Sequence, residues 1–333
     1  MSTTKVLSLL VFILFVSLVH SSDQCPINSI YQFGDSISDT GNLIRNGPVG
    51  ARSSHAANYP YGQTYFHQAT GRLSNGLLMI DYLARRLHLP LLNPYLNGNT
   101  TSLLTSEFPE AQHSTALSSP REISTFRQQT LLSPCSLLGG NDYNYGFFQG
   151  KPMEEIRSYI PHVVGAITAA AREVIRAGAV NVVVPGNFPV GCFPIYLTSF
   201  PVKDTKDYDD NGCLTHLNEF AMDHNNQLQE AIASLRKEFP DVAIVYGDYY
   251  NAFQYVLRSE RFDKSVALKS CCGTGGAYNY DGKRPYGAVG VPVCQNPHKF
   301  ISWDGVHLTQ KAYRFMSKFL NNQILSQIKC TRA

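Results

Sequence analysis

The chain has 333 residues, 44% of them hydrophobic and 16% charged, a balance that builds a compact core and excludes a disordered chain. Its formal net charge of +3 comes from scattered Lys and Arg, with no basic run and no basic-aromatic interleaving, so nucleic acid is excluded as the expected partner. No internal repeat and no Pro/Ser-rich linker divides the chain, and one large α/β domain is the expectation.

The first element is the apolar run Val6 to Val19, just after Lys5. With Val19 and Ser21 as the small residues of a cleavage site, residues 1–22 read as a signal peptide, cut near Ser21 or Ser22. The run is shorter than the about 20 residues that span a bilayer. The domain 23–333 is therefore expected to be exported, to the extracellular space or a vacuole, with no membrane anchor after signal removal. Cys25, Cys135, Cys192, Cys213, Cys271, Cys272, Cys294 and Cys330 are even in number and spread along the chain, which in an oxidising compartment predicts disulfides. Their pairing is open. None has C-x-x-C spacing, so no zinc site is expected. "NTT" makes Asn99 the glycosylation acceptor.

Further elements follow in chain order. "SIYQF" before Gly34, "VNVVVPG" at 180–186 and "VAIVYGD" at 242–248 read as strands. Helical spacing runs from Glu154 to Arg176, with Pro161 delaying or kinking the start, and from His216 to Lys237 through Leu217, Phe220, His224, Leu228, Ala231 and Leu235. A last helix should begin at Thr309 as N-cap and turn Ala312, Phe315, Phe319 and Ile324 inward. Continuous apolar strands alternating with amphipathic helices predict a parallel sheet covered on both faces. In such sheets ligands bind beyond the carboxyl ends of the strands. "SIYQF" delivers Ser36 to that edge, with Gly34 permitting a tight exit.

A serine hydroxyl becomes a nucleophile when a base takes its proton and a third group orients the base. "SWDGVHLT" places Asp304 three residues before His307, a loop spacing that brings a carboxylate to one imidazole nitrogen. "GGNDYN" sets Asn141 after the Gly pair, at a strand exit where its amide N–H can face a developing oxyanion; the ordinary alternative is an Asx-turn. "DYDDNGCLTHLN" approaches a calcium loop, but its twelfth position is Asn218 where a bidentate Glu is needed. No G-x-S-x-G, P-loop or H-E-x-x-H motif is present. The vicinal Cys271 and Cys272 read as two structural half-bridges. "YNYGFF", Tyr143 to Phe148, fits either a substrate pocket or the core.

The segments "FGDSISDTGN", "GRLSNG", "GGNDYNYGFFQGK", "VVVPGNFPVGC", "CCGTGGAYNY" and "WDGVHLT" stand in this order along nearly the whole mature chain. Together they resemble the plant GDSL esterase/lipase family of the SGNH hydrolase superfamily. The resemblance implies a three-layer α/β/α sandwich with a flavodoxin-like parallel sheet. It implies Ser36 as nucleophile, His307 as general base, Asp304 as its orienting acid, and Asn141 with the Ser36 backbone N–H as oxyanion donors. A small-molecule ester, acetylated or carrying an aromatic acyl group, is the implied substrate. No metal or organic cofactor is implied. The chain departs from the family in one place: the block of type G-x-N-F-A-x-x-G-A, whose glycine N–H completes the oxyanion hole, is missing, and residues 99–138 contain no glycine. The reading is a secreted serine esterase. Its alternatives are an acyltransferase using the same acyl-serine and a non-catalytic secreted remnant.

Overall fold

The computed structural model describes residues 27, 29–47, 54–97, 104–107, 131–136, 140–284 and 290–328, the segments 104–107 and 131–136 by their backbone. The signal-peptide reading and Asn99 lie outside these residues.

The sheet is parallel throughout. Its strands are β1 (Ser29–Ile30), β2 (Gln32–Gly34), β3 (Asn93–Pro94), β4 (Leu104–Glu107), β5 (Leu131–Ser136), β6 (Asn181–Pro185) and β7 (Ala243–Gly247). Their order is β3-β4-β2-β5-β6-β7, and β1 also pairs with β5. Ser29 pairs with Leu131 and Phe33 with Cys135, one register, so β1 and β2 are a single strand interrupted at Tyr31. Chain order leaves this strand toward β3 on one side and returns to β5 on the other, which makes the end of β2 the switch point where α/β sheets bind ligands. β6 is buried along its whole length, as a strand covered on both faces must be.

Two helical layers provide the cover. On one side α1 (Met79–Arg86) and α7 (Tyr249–Arg258) each pack on α8 (Gln310–Gln327); on the other, α4 (Ile160–Arg176) packs on α6 (Thr215–Glu238). Among the described residues no helix is long and apolar enough to cross a membrane. The helix expected from Glu154 is broken: α3 (Met153–Ser158) ends at Tyr159 and α4 begins with Pro161 in its first turn, where a missing N–H does no harm. Thr309 caps α8, its Oγ1 accepting the Ala312 N–H at 3.2 Å. Ala312 and Ile324 are buried as expected, with Tyr313, Met316 and Leu320 completing that face, while Phe315 and Phe319 pack against the core but stay partly exposed. They lie against Phe262 and Tyr255 on the flank.

The cysteines form two disulfides among the described residues, Cys192–Cys213 and Cys271–Cys294. The second joins the vicinal pair to a neighbouring loop rather than to itself, and Cys272 is buried beside Trp303 in a second apolar cluster.

Candidate active site

Ser36 is held by a single helical turn. Gly34 is almost extended (φ 158°), so the turn starts at Asp35 rather than at the glycine. The Asp35 carbonyl accepts the N–H of Ser38 at 2.9 Å and of Asp39 at 3.1 Å. Its carboxylate accepts the Ile37 N–H at 3.0 Å, an N-cap that leaves Ser36 as the first residue of the turn. Asp39 continues the scaffold, accepting the N–H groups of Gly41, Asn42 and Leu43 at 2.8, 2.6 and 3.0 Å. Gly41 has φ +128°, and a Cβ there would strike the Thr70 carbonyl and Arg45. That close approach brings "GRLSNG" against the Ser36 loop. Arg72 from this segment is buried, pairs with Asp81 at 2.9 Å and donates to the carbonyls of Thr40 and Leu92.

The second part of the site is the loop 301–309, closed by Thr309 N–H to the Ile301 carbonyl (2.9 Å) and Trp303 N–H to the His307 carbonyl (2.7 Å). Gly305, φ +98°, makes the turn between them. The loop is backed by the disulfide-bearing segment, where the N–H groups of Cys271 and Cys272 donate to the carbonyls of Ser302 and Trp303 at 3.0 and 2.9 Å.

These two loops bring Ser36, His307 and Asp304 into line. His307 Nε2 lies 2.8 Å from Ser36 Oγ, and His307 Nδ1 lies 2.7 Å from Asp304 Oδ2. An ionised carboxylate only accepts, so Nδ1 carries the ring proton and Nε2 is left to accept from the Ser36 hydroxyl. Asp304 and His307 are buried, and Ser36 is half-exposed. Burial raises the Asp304 pKa, but His307 and the N–H groups of His307 and Val306 outweigh it, and the carboxyl ends below its ordinary range. The arrangement can move a proton from Ser36 to His307 and hold the resulting imidazolium.

Asn141 stands in the first turn of α2 (Gly140–Phe148) rather than in the Asx-turn that was the ordinary alternative. β5, which precedes α2 in the chain, ends with Ser136 paired to Gly34, so Asn141 follows a strand that ends beside the Ser36 turn. Its Oδ1 accepts from Asn144 Nδ2 at 3.2 Å, and Asn144 Oδ1 accepts from the Tyr196 hydroxyl. With Oδ1 engaged, the Asn141 amide donor is directed away from Asn144. The aromatic run divides: Tyr143 and Phe147 are core, while Tyr145 and Phe148 are exposed.

Sequence reasoning missed Tyr61. Its hydroxyl donates to Asp304 Oδ2 at 2.9 Å from 243 residues away, and nothing in "YPYGQTYF" separates it from the other tyrosines of the chain. Asp209, in the calcium-like stretch, accepts the N–H groups of Asn211 and Cys213 at 2.9 and 3.0 Å. It also lies within 4.8 Å of the Cys192 and Cys213 sulfurs, which are bonded to each other and carry no thiolate for a metal.

A parallel α/β sheet with a serine, a histidine and a carboxylate in one hydrogen-bonded line at its ligand edge defines the class of serine-histidine-acid hydrolases. The chain belongs to the GDSL-like lipase/acylhydrolase family, whose sequence profile matches residues 30–320. It is similar to GDSL esterase/lipase At5g03980 of Arabidopsis thaliana, 77% identical over 333 residues, with all of both chains covered. It is also similar to acetylajmalan esterase 2 and acetylajmalan esterase 1 of Rauvolfia serpentina, 44% identical over 345 residues and 41% over 360. These alignments cover 92% and 97% of this chain and 93% of each relative. The protein is a carboxylic ester hydrolase.

The alignment with the Arabidopsis relative needs no positions beyond the 333 of this chain. The 345-position alignment covers only 92% of them, so acetylajmalan esterase 2 carries residues within the aligned span that this chain lacks. The short form therefore recurs in the Arabidopsis protein. Despite its lack of glycine, the segment 99–138 supplies β4 and β5, the strands on either side of β2.

Proposed function

We propose that the mature domain, 23–333, is a secreted serine esterase that hydrolyses acetyl or aromatic acyl esters of small molecules through an acyl-serine intermediate. The observation that carries this is the line Asp304–His307–Ser36, with contacts of 2.7 and 2.8 Å. His307 takes the Ser36 proton as Oγ attacks the ester carbonyl. The tetrahedral oxyanion is met by the Ser36 N–H and the Asn141 side-chain amide. His307 then protonates the leaving alcohol, and water, deprotonated by His307, releases the acid. The names of the acetylajmalan esterases favour an acetyl ester over a long-chain lipid. Export through residues 1–22 is supported by the two disulfides, which persist in oxidising compartments, and Asn99 would carry the glycan.

The test is hydrolysis of p-nitrophenyl acetate and butyrate by the secreted protein beside Ser36→Ala, both shown folded by circular dichroism. The proposal expects turnover in the wild type and a loss of at least about 10³-fold in the variant. Equal rates would overturn it and leave the non-catalytic reading. Adding short alcohols and analysing products separates hydrolysis from acyl transfer.

A further inference from the structure

Asp304 receives more donors than an orienting carboxylate requires. Oδ1 accepts the N–H groups of Val306 and His307 at 2.9 and 2.7 Å. Oδ2, the oxygen that faces the imidazole, accepts both His307 Nδ1–H at 2.7 Å and the Tyr61 hydroxyl at 2.9 Å. Three of these four contacts come from within residues 304–307. The fourth comes from a ring that is 2% exposed and set edge-on to Trp303, with centroids 6.1 Å apart. The ring would pack there without its hydroxyl. The hydroxyl is aimed at Oδ2, the oxygen that the His307 ring also uses.

We propose that Tyr61 is a positioning residue for the ester hydrolysis: its hydroxyl fixes Asp304 Oδ2 and withdraws charge from it, setting how strongly the carboxylate holds the His307 imidazolium. This inference rests on the serine esterase reading above. A donor on a carboxylate oxygen lowers the basicity of that oxygen. With Tyr61 in place, Asp304 orients His307 while holding its imidazolium less tightly than a carboxylate without that donor would. Without the hydroxyl, Oδ2 is bound by the imidazole alone, the imidazolium is held more tightly, and His307 stays protonated to higher pH. Asp304 is also faced by Tyr280 and Tyr313, and His307 by Asp35 and Ser36. None of these changes when the Tyr61 oxygen is removed.

The experiment compares wild type with Tyr61→Phe on a p-nitrophenyl ester, measuring kcat and KM from pH 5 to 9. The expected result is a kcat plateau lower by about tenfold, KM unchanged within about twofold, and the acid limb of kcat displaced to higher pH. A second protein carries 3-fluorotyrosine at position 61 alone. It keeps the ring and strengthens the donor, so its acid limb moves to lower pH, a result a merely structural tyrosine does not produce. An unmoved limb in the fluorotyrosine protein overturns the proposal, as does an unmoved or lowered limb in an active Tyr61→Phe. If Tyr61→Phe fails to fold, the fluorotyrosine limb alone decides. Loss of turnover in Ser36→Ala together with unmoved limbs would refute the role of Tyr61 while leaving the esterase reading intact. Undiminished turnover in Ser36→Ala would overturn both.

Discussion

His224 offers a quantitative test of how the core beneath the site is held. It stands on α6 with 1% of its surface exposed, and its Nδ1 meets the Tyr143 hydroxyl at 2.8 Å. Burial pushes its pKa down to about 4, against about 6.5 in an unfolded chain. The folded protein keeps the ring neutral where the unfolded chain protonates it. Stability from this difference is whole above about pH 6.5 and is lost as pH falls toward about 4, because there the unfolded state binds more protons. A gap of about 2.5 units corresponds to about 3 kcal/mol, of which about 2 kcal/mol disappears between pH 7 and pH 5. His224→Gln keeps a polar partner for Tyr143 and removes the titration. Urea unfolding of both proteins at pH 7 and pH 5 should therefore show the wild type losing about 2 kcal/mol more than the variant. Depressed carboxylates such as Asp304 titrate in both proteins and cancel in the comparison. Equal losses would refute the neutral buried imidazole. Tyr143 lies two residues after Asn141 on α2, so the same pair fastens the helix that carries the proposed oxyanion donor.

Other predictions concern the loops and their braces. Gly305→Ala forces an L-residue into φ +98° and sets its Cβ onto the Tyr280 ring and 3.1 Å from Ser270 Oγ; esterase activity should fall at least about tenfold, with a loss of about 1–3 kcal/mol in unfolding free energy. Asp81→Ala strands the buried Arg72 charge beneath the Ser36 loop, and denaturant unfolding should register a loss of about 3–5 kcal/mol. Replacing Cys271 and Cys294 by Ala frees a loop spanning 23 residues of separation behind the Asp304 loop, lowering unfolding free energy by about 3 kcal/mol. Asn144→Ala releases Asn141 Oδ1. Its kcat should drop several-fold with KM held, and a parallel rise in KM would point instead to a disturbed substrate site.

The strand segments "SIYQF" (β1 and β2), "VNVVVPG" (β6) and "VAIVYGD" (β7) are legible as short runs rich in β-branched and apolar residues, whereas β3 (NP), β4 (LTSE) and β5 (LLSPCS) carry no such pattern and are not legible. Thr309 was legible as an N-cap because its hydroxyl does local work. Ser36, Asp304 and His307 were legible through their immediate neighbours and the resemblance. Tyr61 was not, since a contact across 243 residues leaves no local trace. The helix that carries Asn141 was not legible, because "GGNDYN" carries two helix-poor glycines and the helix is stabilised from outside, by Tyr143 and Phe147 against Phe220. On α8 the period places Ala312 and Ile324 in the core and overstates only the burial of Phe315 and Phe319. Periodicity marks Phe315 and Phe319 as apolar, but the flanking rings of Phe262 and Tyr255 give them a partly exposed place to pack.

The missing glycine block bears on rate rather than on whether the chemistry is possible. One oxyanion donor is worth about 10²- to 10³-fold in kcat, while the whole acceleration of an ester hydrolase is many orders larger. On the mechanism proposed above, with Ser36 on a capped turn, His307 between it and Asp304, and Asn141 as the remaining side-chain donor, the expected effect is a slower enzyme rather than an inactive one. Against the remnant reading stands the electrostatics of Asp304. Burying an ionised carboxylate is unfavourable unless it is paired and hydrogen-bonded, and here it has four such contacts. Three are made within its own loop, but the Tyr61 contact requires a separate part of the chain to be folded around it. Such an arrangement burdens a protein that only needs to be stable, where an apolar residue would serve better. It is coherent in one that needs His307 oriented.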